Sequence, residues 1–308
     1  MFVDLNVIQS DDEAKNQTLI QRLQQLGYDS FAFNKYVRGR VKREKAPKIT
    51  KLDIPQGEVD YSLFRPGCSQ SRQLQQLTRV TFIIDQQDDI HMLNSSNPLL
   101  RDYDIIAVQP ATEKLLQQCL QFDIDMVTMA LNERLPFYLK VPQVNVMKSK
   151  NIKFEICYSH LLEPSNIRQT AIANICSLMK TLKPELIIMS SGTEDPMKLR
   201  GPYDAMHMAF FWDMMEHHAR RAISEIPMST IRNANWRRNT FKGAVEIVSL
   251  EGSSKHTTWQ FKKLEEWKAN TPNDDNTDMS VMGKKRPLET SANGTNSSKN
   301  NNKKTKQK

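Results

Sequence analysis

Four carboxylates, Asp4, Asp85, Asp125 and Glu155, stand at or near the ends of short apolar runs, where a ring of such groups could bind a divalent metal ion. Helix N-capping and solvation of strand ends explain the same residues without chemistry. The six histidines, His91, His160, His207, His217, His218 and His256, are scattered. Only His217 and His218 adjoin, and neighbours on a helix point about 100° apart, a poor geometry for one metal. His160 follows an apolar run and is the lone candidate for acid–base work; a capping or hydrogen-bonded histidine is the commoner reading. Ser190-Ser191-Gly192 resembles a phosphate-cradling turn without the glycine density of one, though its N–H groups could still meet an RNA phosphate. No Ser or Cys stands in a nucleophile elbow. These residues carry no enzyme signature that outweighs a structural explanation.

Cations and aromatic residues form a better-supported pattern. Lys35, Arg38, Arg40, Lys42, Arg43 and Lys45 surround Tyr36 and are followed by Lys48 and Lys51, in a stretch whose Gly and Pro leave its backbone open to phosphate. Arg232, Arg237, Arg238 and Lys242 surround Trp236, an indole on which a base could stack. A solvated basic loop and a core tryptophan are the competing readings. Met206, Met208, Phe210, Phe211, Trp212, Met214 and Met215 make a segment apolar nearly all round, which suits a buried helix or a partner groove.

The elements that would position these groups alternate. Apolar runs at 2–7, 30–34, 79–85, 104–109, 125–130, 153–159 and 186–191 are mostly continuous, as expected of strands buried on both faces of a parallel sheet. Between them lie amphipathic helices: 12–26, stopped by Gly27; 112–121, opened by Thr112; and 165–182, with Ile172, Ile175, Leu178, Met179 and Leu182. About seven or eight strands in this pattern predict an α/β, TIM-barrel-like (β/α) barrel over residues 1–249. An open doubly wound sheet would read almost alike, but no GxGxxG or GxxxxGK[ST] follows a strand. A metal-dependent phosphoesterase barrel of the polymerase-and-histidinol-phosphatase type would carry two histidines where Asn6 and Ile8 stand. Residues 38–72 form a basic loop insertion, far longer than an ordinary connection.

The C-terminal segment 250–308 reads as a mostly disordered basic tail rich in Asn, Ser and Lys, in which the amphipathic stretch Trp259–Trp267 suits a docking helix. Residues 283–308 carry +7 of the chain's formal +8, so the remainder is near neutral and bulk charge does not itself mark a nucleic-acid binder. Lys284, Lys285 and Arg286 form a short basic run of the nuclear-import kind, with a second run at the C-terminus. No apolar run reaches the 18 residues of a membrane span, and no membrane partner is expected. Cys68, Cys119, Cys157 and Cys176 lack metal spacing and fit a reducing compartment.

Two motifs, Arg134-Leu-Pro-Phe-Tyr-Leu-Lys140 and Arg200-Gly-Pro-Tyr-Asp204, give the pattern a further meaning. With Val3-Asp-Leu-Asn6, Leu77-Thr-Arg79, Asp104–Val108, Asp123-Ile-Asp125, Phe154–Tyr158 and Arg168, their order resembles the thirty-kilodalton protein subunit family of ribonuclease P and ribonuclease MRP, from Met1 to about residue 249. The resemblance implies a TIM-barrel-like, non-catalytic subunit of an RNA enzyme that removes 5′ leaders from precursor tRNA. It also implies membership of the MRP particle, which processes ribosomal RNA. Partners would be ribonuclease P RNA and MRP RNA, a small ferredoxin-like protein subunit, other subunits of these particles, and precursor tRNA through the complex. The protein itself would bind no cofactor, magnesium residing on the RNA, and the location would be the nucleus and nucleolus. Arg134, Arg168 and Arg200 become candidate phosphate contacts, the competing reading being internal ion pairs with Glu155 or Asp204. Phe137, Tyr138, Tyr203, Phe211 and Trp212 become candidate partner contacts. A metal-dependent phosphoesterase and a pure protein-interaction scaffold are the alternatives.

Overall fold

A computed structural model describes residues 1–41, 43–54, 74–95, 97–241 and 245–246. The expected tail, the import run Lys284–Arg286, Lys42, Lys242 and the second half of the basic loop lie outside them. Met1–Ile247 is one compact unit.

Seven parallel strands follow one another around a single sheet: β1 (Val3–Ile8), β2 (Ser30–Arg38), β3 (Gln75–Ile84), β4 (Ile105–Pro110), β5 (Met126–Val127), β6 (Lys153–Cys157) and β7 (Ile187–Ser190). The seven apolar runs of the sequence each supply one strand. The segment after β7 returns to β1, where Gly192 N–H donates to Asn6 O at 2.8 Å and Ile8 N–H donates to Thr193 O at 3.0 Å. These bonds make the sheet a nearly closed TIM-barrel-like fold with seven strands. Gly192 has φ 66°, and a Cβ there would stand 2.7 Å from the Cys157 side chain, so the closure requires glycine.

Helices cover the outside: α1 (Glu13–Gln25), α2 (Glu113–Cys119), α3 (Val141–Ser149), α4 (Ser165–Met179), α5 (Pro202–Met208) and α6 (Glu216–Ile223). Asp12 caps α1 and Thr112 caps α2 through their side chains, while Gly27 at φ 81° follows the end of α1. Phe31 and Phe33 point outward into the large core between strands and helices, where their rings meet edge to face at 5.0 Å. The first half of the basic loop also belongs to this layer, because Val41, Ala46, Ile49, Leu52 and Ile54 pack on the outer core.

The opposite strand face forms a separate, smaller core of Val3, Leu5, Ala32, Leu77, Ile105, Ala107, Met126 and Ile188. Its remaining members, Ile226, Ile231 and Ala234, come from a further helix, α7 (Glu225–Asn239), which packs against β1, β4 and β7. Thus α7 plugs the barrel. Arg237 and Arg238 bond to residues just ahead of β4 and β5, so the plugged end is the one where strands begin.

Candidate functional site

Above the apolar interior layer, the barrel is filled by polar groups held on its strands. Arg79 of β3 is fully buried, which costs several kcal/mol of hydration unless every N–H finds a partner. Four of its five do: Nη1 and Nη2 donate to the two Glu155 oxygens at 2.5 and 2.6 Å, Nη1 also donates to Leu5 O, and Nε to Thr81 Oγ1. Glu155, on β6, also accepts from Ser190 Oγ and from Asn6 Nδ2. Asn6 Oδ1 accepts from Asn34 Nδ2 at 2.8 Å, and Thr81 Oγ1 donates to Asn34 Oδ1. Asn6 reaches this layer because the pairing of β1 with β2 shifts register between Asp4 and Val7. Burial alone would raise the Glu155 carboxyl, yet the Arg79 guanidinium and the hydroxyl donors hold it below the ordinary carboxylate range.

The arrangement does not bring the four carboxylates into a ring. Glu155 is already neutralised by Arg79, so it pairs with none of Arg134, Arg168 and Arg200. Asp4 is buried and accepts the backbone N–H groups of Asn6 and Ser191; burial raises its pKa despite them. Asp85 lies at the surface with Arg38, and Asp125 lies at the other end of the barrel with Arg237. Among the described residues no group of three or more His, Cys, Asp or Glu is placed to hold a metal ion. The Ser190-Ser191-Gly192 turn is no phosphate cradle either, since Ser191 N–H is taken by Asp4 and Gly192 N–H by Asn6 O. His160 is half-buried in a single 3-10 turn, and burial lowers its pKa.

The surface cations divide into engaged and unengaged ones. Lys35 pairs with Asp11 at 3.0 Å, Arg38 with Asp85 at 2.6 Å and Arg40 with Asp88 at 3.7 Å; Arg43 holds Asp102 through two bonds. Arg168 folds back onto Glu163 O. Arg134 and Arg232 are exposed and make no hydrogen bond or ion pair among the described residues. The Arg200 main chain is clamped by two phenols, Tyr28 Oη donating to its carbonyl and Tyr158 Oη accepting from its N–H. Pro202 then opens α5 at its first position, and Tyr203 meets Phe2 edge to face.

Of the expected partner contacts, Tyr138 is 63% exposed and Phe211 67%, Tyr203 is about half exposed and Phe137 is partly buried. Trp212 requires a correction. It is only 3% exposed and its ring belongs to the outer core, leaving Phe210, Phe211 and Met215 as the exposed apolar residues of that segment.

The second basic cluster sits on the barrel plug. Arg237 Nη2 donates to Asp125 at 2.9 Å and to Asp104 O at 3.1 Å, and Arg238 pairs with the Asp104 carboxylate. Burial outweighs Arg237 and raises the Asp125 pKa. Trp236 stays 60% exposed, so its ring is not core. Beside it opens a cavity of about 820 Å³ between α7 and the segments leading into β4, β5 and β6. The sequence flagged the α7 residues of this region but not Arg101 and Lys150 on the facing wall; each is a single cation in a polar segment and becomes notable only once the chain folds.

A seven-stranded parallel barrel, plugged by a helix and closed inside by an ion pair, defines a TIM-barrel-like α/β protein. The same fold occurs in a chain of a solved archaeal ribonuclease P with mature tRNA, with a TM-score of 0.57 at 14% identity over 82% of this chain and 100% of that one. The family model described as RNase P subunit p30 matches residues 1–239, and the chain belongs to that family. The mouse ribonuclease P protein subunit p30 is 30% identical over 255 residues, covering 80% of this chain and 90% of its own length. The probable ribonuclease P protein subunit 3 of Schizosaccharomyces pombe is 28% identical, covering 79% and 97%. The ribonuclease P/MRP protein subunit RPP1 of Saccharomyces cerevisiae is 25% identical, covering 80% and 84%.

Proposed function

We propose that this chain is a non-catalytic protein subunit of ribonuclease P, which removes 5′ leaders from precursor tRNA, and of ribonuclease MRP, which processes ribosomal RNA. The observation that carries the non-catalytic reading is the buried Arg79–Glu155 pair. Enzymes of this architecture place reacting groups on the carboxyl side of the strands, and here Glu155 is committed to a guanidinium from the same chain and Asp4 to backbone N–H groups. Hydrolysis then belongs to the RNA and the magnesium ions it carries. The chain's part is positioning: surface arginines meet phosphates, and exposed aromatics meet a small ferredoxin-like subunit and its neighbours. The basic run Lys284–Arg286 suits work in the nucleus and nucleolus.

The test is purification of the tagged full-length chain from its own cells, followed by RNA sequencing and a precursor-tRNA cleavage assay. One or two abundant structured RNAs should copurify, with leader removal lost after nuclease treatment of the eluate. Activity that survives complete RNA digestion would overturn the reading.

A further inference from the structure

We propose that the cavity beside α7 is a pocket for one unpaired RNA nucleotide, its base stacked on Trp236 and its phosphate held between Arg101 and Lys150. The proposal rests on the subunit reading above and gives it a contact point. At about 820 Å³ the cavity falls within the range of small-ligand pockets and accommodates a single nucleotide, whereas a helical duplex is too wide to enter. Its walls combine the groups that unstacked bases use: an aromatic face, amide edges and cations.

Each wall contributes a distinct part. Asn233 and Trp236 lie three residues apart on α7 and so share a helix face. The half-buried Asn233 amide makes no hydrogen bond among the described residues, leaving both a donor and an acceptor for a base edge. Asn151 lines the opposite side with φ 58°, and its oxygen already accepts from Lys153, so its NH₂ remains to donate. Arg237 and Arg238 line the cavity too, but Asp125 and Asp104 neutralise them. They are positioning residues: they fix α7 on the barrel end and thereby hold Trp236. The cations left for phosphate are Arg101, exposed and without a partner among the described residues, and Lys150, which donates only to the Gln121 carbonyl. The one carboxylate left to oppose them is the exposed Asp123. Recognition of this kind targets loops and bulges and tolerates any base, because every base has a π-face.

Particles purified through a tag on the full-length chain would be irradiated with ultraviolet light, digested, and searched by mass spectrometry for nucleotide–peptide adducts. An adduct on the peptide bearing Trp236 is expected. Adducts confined to other parts of the chain overturn the pocket and leave the subunit reading standing, whereas particles without RNA overturn both. An adduct joining this peptide to a second protein also overturns the pocket, since its occupant is then a polypeptide. If no adduct forms anywhere on the chain, variants decide. Trp236→Ala should weaken RNA retention in a salt wash roughly tenfold, with Trp236→Phe retaining most of it, and melting curves of both variants check that each is folded. Equal retention by Trp236→Ala and wild type overturns the proposal.

Discussion

The two ends of the barrel use arginine in opposite ways. Inside, Arg79 is fully buried, and four of its five N–H groups are taken by Glu155, Leu5 O and Thr81. At the α7 end, Arg237 and Arg238 spend their charge on two aspartates and in doing so hold an exposed indole over an open cavity. One arrangement closes a site and the other builds a surface. An arginine's role here follows from the carboxylate opposite it, which lies roughly 75 to 135 residues away in sequence.

The largest effect should come from breaking the closed end. Arg79→Met leaves Glu155 buried and uncompensated, and should cost about 3–5 kcal/mol in urea denaturation. The double variant Arg79→Met/Glu155→Leu should recover most of that loss, because the lone buried charge is gone. A single variant costing less than about 1 kcal/mol would show that the pair does not close the barrel.

The same pair gives the pH dependence a sign. Glu155 titrates lower folded than unfolded, so its stabilisation is present above the ordinary carboxylate pKa and is lost as pH falls through the depressed folded value. Acid unfolding should therefore be steeper in the wild type than in the double variant. Asp4 and Asp125, raised by burial, act in the other direction: their contribution is present below the unfolded pKa and is lost as pH rises through the folded one. Denaturation midpoints measured across the acid range separate the two, and parallel curves for wild type and double variant would contradict the assignment to Glu155.

Much of the barrel was legible in sequence because both strand faces are buried, so each strand appears as an unbroken apolar run. The helix starts at Asp12 and Thr112 were legible for a local reason, as capping is a contact within three residues. The interior pair was not. Arg79 stands in an apolar strand between Thr78 and Val80, and nothing within that strand names Glu155 as its partner. A charge placed at an inward position of a buried strand was the available signal, since such a charge must have an opposite somewhere. Likewise the α7 sequence reads as a basic patch with an aromatic, and its role as plug depends on Ile226, Ile231 and Ala234 joining a core to which six different strands contribute. The basic loop misled in part because its cations mask the apolar residues that pin its first half to the core.

A middle-sized effect tests the plugged end. Arg237→Ala removes hydrogen bonds to Asp125 and to Asp104 O from a partly buried site and should cost about 2 kcal/mol. The loss should be local, with amide hydrogen exchange accelerating in α7 before it does in β3 or β6. Uniform acceleration would mean that α7 is part of the cooperative core rather than a plug upon it.

The smallest effect on stability, and the sharpest on role, concerns the surface arginines. Arg38 is largely exposed and paired with Asp85, a pair worth less than about 1 kcal/mol in water, so Arg38→Ala should hardly move a melting curve. RNA retention in a salt series gives the discriminating measurement, since each phosphate contact adds close to one unit to the slope of log affinity against log salt. If Arg38 serves phosphate, Asp85 competes with the RNA for it, and Asp85→Asn should strengthen retention while Arg38→Ala weakens it. Arg134→Ala should weaken retention as well, but Arg134 forms no ion pair among the described residues whose removal could strengthen it. If Asp85→Asn and Arg38→Ala both leave retention unchanged, the 35–45 cations belong to the fold's surface, and the phosphate contacts lie with Arg134, Arg232 and the α7 cavity.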